Sequence, residues 1–154
     1  MKQSKVILIE DDNKKTDDIK NFIDESYNGF ILAVKGSYQS GLKELILNSY
    51  DLLLLDMSIP TWDKSPSESG GNYQKFGGYM ILKEIVRKHK PVKTILISMF
   101  DDFGESDTSI TLTQIDQALT DEFSSIYFGS VFYSSRETKW KTELKTLIDK
   151  ALSL

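Results

Sequence analysis

The sequence predicts an α/β fold: a doubly wound, five-stranded parallel sheet in the order 2-1-3-4-5, with helices on both faces. Three observations predict it. Strand-like apolar runs alternate with helical patterns five times along the chain. The four clearest runs, Val6-Ile7-Leu8-Ile9, Phe30 to Val34, Leu52-Leu53-Leu54-Leu55 and Thr94-Ile95-Leu96-Ile97, are continuous rather than alternating, as strands buried on both faces are. Three of these four end on an oxygen-bearing side chain, running into Glu10-Asp11-Asp12, Asp56 and Ser98, whereas the second ends on Lys35.

In chain order, Lys5 to Ile9 forms the first strand. A helix follows over about Asn13 to Ser26, with Asn13 as N-cap and Ile19, Phe22 and Ile23 as its inward stripe. Phe30 to Val34 is the second strand, and about Ser37 to Asn48 a helix with Leu42, Leu45 and Ile46 at helical spacing. Asp51 to Leu55 is the third strand. Thr61 to Phe76, rich in Ser, Gly, Pro and charge, reads as a loop, long for a compact domain. The next helix, about Gly78 to Lys90, is stopped by Pro91 before the fourth strand, Val92 to Ile97. Phe100 to Asp107 is a second acidic loop, and Ser109 to Phe123 is helical through Ile110, Ile115, Ala118, Leu119 and Phe123. Either Ile126-Tyr127-Phe128 or Val131-Phe132-Tyr133 can supply the fifth strand. Leu144, Leu147 and Ile148 make the last helix, about Thr138 to Leu152, amphipathic.

A chain of 154 residues with 40% hydrophobic and 27% charged residues reads as one globular domain, 1–154. No apolar stretch reaches transmembrane length, and the first strand begins at once, so no signal peptide, no membrane contact and a cytoplasmic location are expected. The absence of cysteine excludes disulfides, thiolate nucleophiles and zinc-thiolate sites. His89, the one histidine, lies in the basic stretch Arg87-Lys88-His89-Lys90 and reads as a solvated helix end rather than a ligand or base. A net charge of -4 gives no broad footprint for nucleic acid.

Open α/β sheets bind ligands at the carboxyl edge where strand order reverses, here between strands one and three. Those strands carry Glu10, Asp11 and Asp56. Three converging carboxylates raise one another's pKa unless a cation neutralises them, and a hard divalent ion, Mg2+, is the expected occupant. Asp12 reads as a helix cap rather than a ligand.

VILIEDD (Val6 to Asp12), DLLLLDMSIP (Asp51 to Pro60) and ILIS (Ile95 to Ser98) together resemble the receiver domain of two-component response regulators, over essentially the whole chain. The resemblance implies a flavodoxin-like fold and a phosphorelay signalling module, not an enzyme. Asp56 would accept a phosphoryl group from a histidine kinase or phosphotransfer protein. Asp11 and Asp56 would ligate Mg2+ with the main-chain carbonyl of Ser58, and Glu10 would act through water. Ser98 would hydrogen-bond a phosphoryl oxygen. Receivers carry a lysine after strand five. With Gly129 aligned to the glycine that precedes that strand, Arg136 stands there, an unequal substitute, and Lys139 is the alternative if the strand is shifted. Tyr133 takes the place of the switch aromatic, paired with Ser98, and could equally be a tyrosine packed at a sheet edge. Met99 fills a position usually held by a small residue.

Against the family, the chain carries loop insertions at about 61–76 and 100–108. Both would overhang the crevice, and both can also be read as tolerated surface loops. The acidic set Asp101, Asp102, Glu105 and Asp107 reads as a solvated loop. The leading expectation is a stand-alone receiver that signals to a downstream protein through its last two helices and strand five, with homodimerisation left open. The alternative is a phosphorylation-independent pseudo-receiver adaptor. A phosphatase or phosphotransferase with an aspartyl nucleophile is disfavoured, because it would want a general acid two residues after Asp56, where Ser58 stands. Flavin binding is disfavoured because Glu10-Asp11-Asp12 would repel phosphate.

Overall fold

The computed structural model describes residues 3–63, 71, 73–100, 102–103 and 110–154. Five parallel strands form the main sheet: β1 (Ser4–Ile9), β2 (Phe30–Lys35), β3 (Leu52–Leu55), β6 (Thr94–Ser98) and β9 (Tyr127–Phe132), in the order β2-β1-β3-β6-β9. This is the predicted 2-1-3-4-5 topology. The intervening numbers belong to two short antiparallel ribbons. β4 (Ile59–Pro60) pairs with β5 (Tyr73–Gln74), and β7 (Asp102–Phe103) with β8 (Ile110–Thr111). The first ribbon flanks residues 61–72 and the second residues 104–109. Of the second acidic set, Asp101, Glu105 and Asp107 lie outside the described residues, as does the side chain of Asp102.

The continuous apolar runs are explained by two cores. Successive side chains of a strand point to opposite faces. Ile7, Ile9, Leu53, Leu55 and Leu96 pack beneath α2 (Tyr38–Leu47), α3 (Gly77–Arg87) and α4 (Leu112–Glu122). Val6, Leu8, Leu52, Leu54, Ile95 and Ile97 pack beneath α1 (Asn13–Ser26) and α5 (Lys139–Leu152). Every residue of β3 is buried, so no position in it needs to be polar.

Several boundaries differ from expectation for identifiable reasons. Of Asp12 and Asn13, both read as caps of the first helix, it is Asp12 that caps α1, its carboxylate accepting from the Lys15 N–H at 2.8 Å. The two candidate fifth strands are one strand. Its register to β6 jumps from Thr94↔Tyr127 to Ile95↔Gly129, leaving Phe128 as an extra residue, and Gly129 has φ of +141°. That bulge conceals the alternation a sequence reading looks for. The helix α3 ends three residues before Lys90. His89 follows it with φ of 58°, its N–H bonded to Val86 O (3.1 Å), while the Lys90 N–H bonds to Ile85 O (2.8 Å). This is a Schellman cap with histidine where glycine is usual, so the lone histidine serves as a helix end.

Candidate functional site

The site lies beyond the carboxyl ends of β1, β3 and β6. Because β1 and β3 are adjacent and in register, Ile9 opposite Leu55, the residues that follow them emerge side by side. Carboxylate oxygens of Glu10, Asp11 and Asp56 all lie within 4.8 Å of one another. Glu10 and Asp56 are each 2% exposed, and Asp11 is half-buried. Glu10 Oε2 accepts the N–H groups of Asp11 and Asp12, both at 3.1 Å, which fixes the carboxylate against its own turn. Asp56 Oδ1 accepts the Met57 N–H at 2.8 Å, leaving Oδ2 turned the other way.

What Oδ2 meets is Lys15, a residue the sequence reading did not place here. Its ammonium is fully buried, 2.5 Å from Glu10 Oε1 and 3.4 Å from Asp56 Oδ2, and donates to Ile97 O at 2.7 Å. Glu10 Oε1 has no directed hydrogen bond among the described residues; it stands beside the Lys15 ammonium without one. Burial pushes the Glu10 carboxyl up to about 8; Lys15 opposes that and Asp56 adds to it. The Asp56 carboxyl is also raised, again chiefly by burial and against the pull of Lys15. One ammonium thus incompletely offsets two desolvated carboxyls.

The expected site residues divide into two groups. Ser58 is buried close by, its hydroxyl donating to Lys75 O at 3.0 Å and leaving its own carbonyl uncommitted by that bond. Ser98 ends β6 fully buried, its Oγ donating to Phe100 O (3.0 Å) and accepting from the Phe100 N–H (3.1 Å). Met99 packs partly buried against the α1/α5 core. Tyr133 is buried edge-on to Trp140, with its hydroxyl donating to Asp18 Oδ2 of α1. Arg136 and Lys139 are exposed, the first in the turn after β9 and the second in the first turn of α5, 3.7 Å from Glu143. The cation that the structure brings to Asp56 comes from α1.

The closeness of α3 was also missed. Gly78 donates its N–H to Met57 O at 2.9 Å, and a Cβ on it would stand 2.5 Å from Asp56 O. Only glycine lets this helix start so near the Asp56–Met57 peptide. The donor set fits a hard cation: three carboxylates, all oxygen, one of them bearing a buried atom without a hydrogen bond.

No family model matches the sequence. The receiver domain of Francisella response regulator 1452 superimposes with a TM-score of 0.64 at 18% identity, covering 98% of each chain. The chain has the receiver-domain fold. The receiver fold is shared with response regulator TrrA of Thermotoga maritima in complex with Mg2+-BeF, at a TM-score of 0.56 and 19% identity over 94% of this chain and 99% of that one. In sequence, the chain is 27% identical over 141 residues to the Detocs response regulatory protein DtcB of Enterobacter cloacae, covering 90% of this chain and 94% of DtcB. It is 28% identical over 144 residues to the uncharacterized protein y4jR of Sinorhizobium fredii, covering 92% of this chain and 94% of that protein. None of the described helices is long and apolar enough to cross a membrane.

Proposed function

We propose that this protein is a stand-alone response regulator receiver. It accepts a phosphoryl group on Asp56 from a histidine kinase or phosphotransfer protein in a Mg2+-dependent reaction, and signals in the cytoplasm through protein contacts made by α4, β9 and α5. The observation that carries this reading is the convergence of Glu10, Asp11 and Asp56 at the switch point of the sheet, with Asp56 at the end of β3. Three helix caps would have no reason to meet there. The match to DtcB over 94% of its length supports action as a single module.

Asp11, Asp56 and the Ser58 carbonyl would hold the metal directly, and Glu10 through water. When bound, Mg2+ supplies the charge screening that lets one anion approach another. Asp56 supplies the nucleophile. Its oxygen forms the O–P bond as the P–N bond to the donor imidazole breaks, and the bonding pair leaves with that ring nitrogen. The Met57 N–H holds Oδ1 and leaves Oδ2 for attack. Ser98 would exchange its Phe100 partners for a phosphoryl oxygen.

A second reading, a phosphorylation-independent adaptor, is favoured by one feature: Asp56 is nearly inaccessible and already has a resident cation. Intact mass after incubation with Mg2+ and acetyl phosphate separates the two. Gain of one phosphoryl group, absent from Asp56→Asn, supports the receiver. No gain from either acetyl phosphate or a panel of phosphorylated phosphotransfer proteins sinks it in favour of the adaptor.

A further inference from the structure

We propose that Lys15, carried on α1, is the phosphoryl-binding cation of this cleft, in place of any basic residue after β9; the inference rests on Asp56 being the phosphoacceptor. Four observations carry it. Lys15 is the largest of the fully buried side chains, and a buried ammonium is costly unless paired. Its ammonium donates to Ile97 O and stands within ion-pair distance of both Glu10 Oε1 and Asp56 Oδ2, and so is held from three sides. Of the two Asp56 oxygens it faces Oδ2, the one not held by the Met57 N–H. Arg136 and Lys139, the basic residues after β9 weighed for this role, are both exposed.

The position of Lys15 is built in. Asp12 caps α1 through the Lys15 N–H itself, which fixes the backbone from which the side chain starts. Lys15 lies one helical turn before Ile19 and two before Phe22, on the stripe that faces the sheet. Its side chain therefore reaches inward to Glu10, Asp56 and the end of β6. When Asp56 becomes an acyl phosphate, negative charge moves off its carboxylate and onto the phosphoryl oxygens just beyond Oδ2. The ammonium 3.4 Å away can follow that charge with a small rotation of a flexible stem.

The third partner gives the contact a consequence. Ile97 immediately precedes Ser98, so Lys15 joins the phosphoacceptor to the backbone at the end of β6. A Lys15 drawn toward phosphoryl oxygens loosens its bond to Ile97 O next to the hydroxyl that would also turn inward. The structural alternative is that Lys15 does no more than neutralise Glu10. That role requires contact with Glu10 alone and predicts indifference to phosphorylation.

The test has two arms. In the first, the rate of acyl phosphate formation from acetyl phosphate in saturating Mg2+ is followed by intact mass for wild type, Lys15→Met and Arg136→Met, with Mg2+ affinity measured alongside by calorimetry. The expected result is a loss of about ten- to a hundredfold in Lys15→Met, the scale of one hydrogen bond to a charged group, with Mg2+ binding retained, and no comparable loss in Arg136→Met. Loss in Arg136→Met with Lys15→Met unimpaired overturns the proposal. A wild type that takes no phosphoryl group overturns the receiver reading and the proposal with it, whereas wild type and Lys15→Met reacting equally overturns the proposal alone. The second arm needs no variant, in case Lys15→Met does not fold. The Lys15 ammonium resonance of 15N-labelled wild type should shift on addition of Mg2+ and beryllofluoride, beyond its response to Mg2+ alone. A resonance that stays where Mg2+ alone leaves it shows that Lys15 does not touch the phosphoryl mimic.

Discussion

Gly78→Ala sets two effects of similar size against each other, and the structure decides the sign. In an exposed helix interior, alanine in place of glycine is worth about 1 kcal/mol in favour of folding. Here the added Cβ would stand 2.5 Å from Asp56 O and 3.1 Å from Met57 Cα. An ordinary carbon–oxygen contact is about 3.3 Å or longer, so α3 must retreat by roughly 0.8 Å. Both clashing atoms are backbone of a fully buried segment and cannot turn aside. The Gly78 N–H bond to Met57 O, now 2.9 Å, would stretch beyond hydrogen-bonding range, at a cost of about 1 kcal/mol. Overpacking adds about 1–3 kcal/mol, and the second helical position gains less from alanine than an interior one. The net expectation is a destabilisation of about 1–3 kcal/mol by urea unfolding, with phosphorylation slowed even where the protein is folded, because the Asp56 peptide moves. Gly77→Ala should also destabilise, since its Cβ would stand 2.6 Å from Cγ1 of the fully buried Ile59 and 3.0 Å from Gln74 Cβ. A Gly78→Ala protein as stable as wild type, or more so, would refute the close approach of α3 to the site.

Three further outcomes follow from the same structure. Because the Glu10 carboxyl is raised to about 8 by burial, the folded protein holds a proton that the unfolded chain releases near 4.5. Stability of the metal-free protein should therefore fall as pH rises from about 5 to 8, and Mg2+ affinity should rise over the same interval; urea midpoints that climb with pH there would contradict the assignment. His89→Gly should stabilise by about 0.5–1 kcal/mol in urea unfolding, because glycine adopts the left-handed cap conformation without strain, and a loss of stability would count against the Schellman assignment. Tyr133→Phe should cost about 1–2 kcal/mol through loss of the Asp18 bond while leaving the Trp140 contact in place; a stability unchanged from wild type would show that the bond contributes nothing.

The parts of the site legible in sequence were those set by burial on both faces of the sheet. An all-leucine β3 admits no polar residue until it leaves the sheet, so the first carboxylate after it, Asp56, marks the strand's end, and Glu10 does the same for β1. Lys15 was hidden for the opposite reason. It sits in Asn13-Lys14-Lys15-Thr16-Asp17-Asp18, a charged stretch that reads as a solvated helix face, and only its spacing from Ile19 and Phe22 puts it on the inward stripe. Lys14, its neighbour, is the exposed residue such a stretch leads one to expect, paired with Asp18 at 2.8 Å. The division of β9 had a different cause. An extra residue at Phe128 and a positive φ at Gly129 break the period-two pattern, so one strand reads as two candidates. The ribbons β4–β5 and β7–β8 are two residues a side, too short to carry any periodicity.

The central claim is that Asp56 itself carries the phosphoryl group. The most direct measurement is reduction of acetyl phosphate-treated protein with tritiated borohydride, which reduces an acyl phosphate and not a free carboxylate, followed by peptide mapping. The account predicts one labelled position, Asp56, dependent on Mg2+ and absent from Asp56→Asn. Label at Glu10, Asp11 or any other carboxylate, or label that persists in Asp56→Asn, would contradict it.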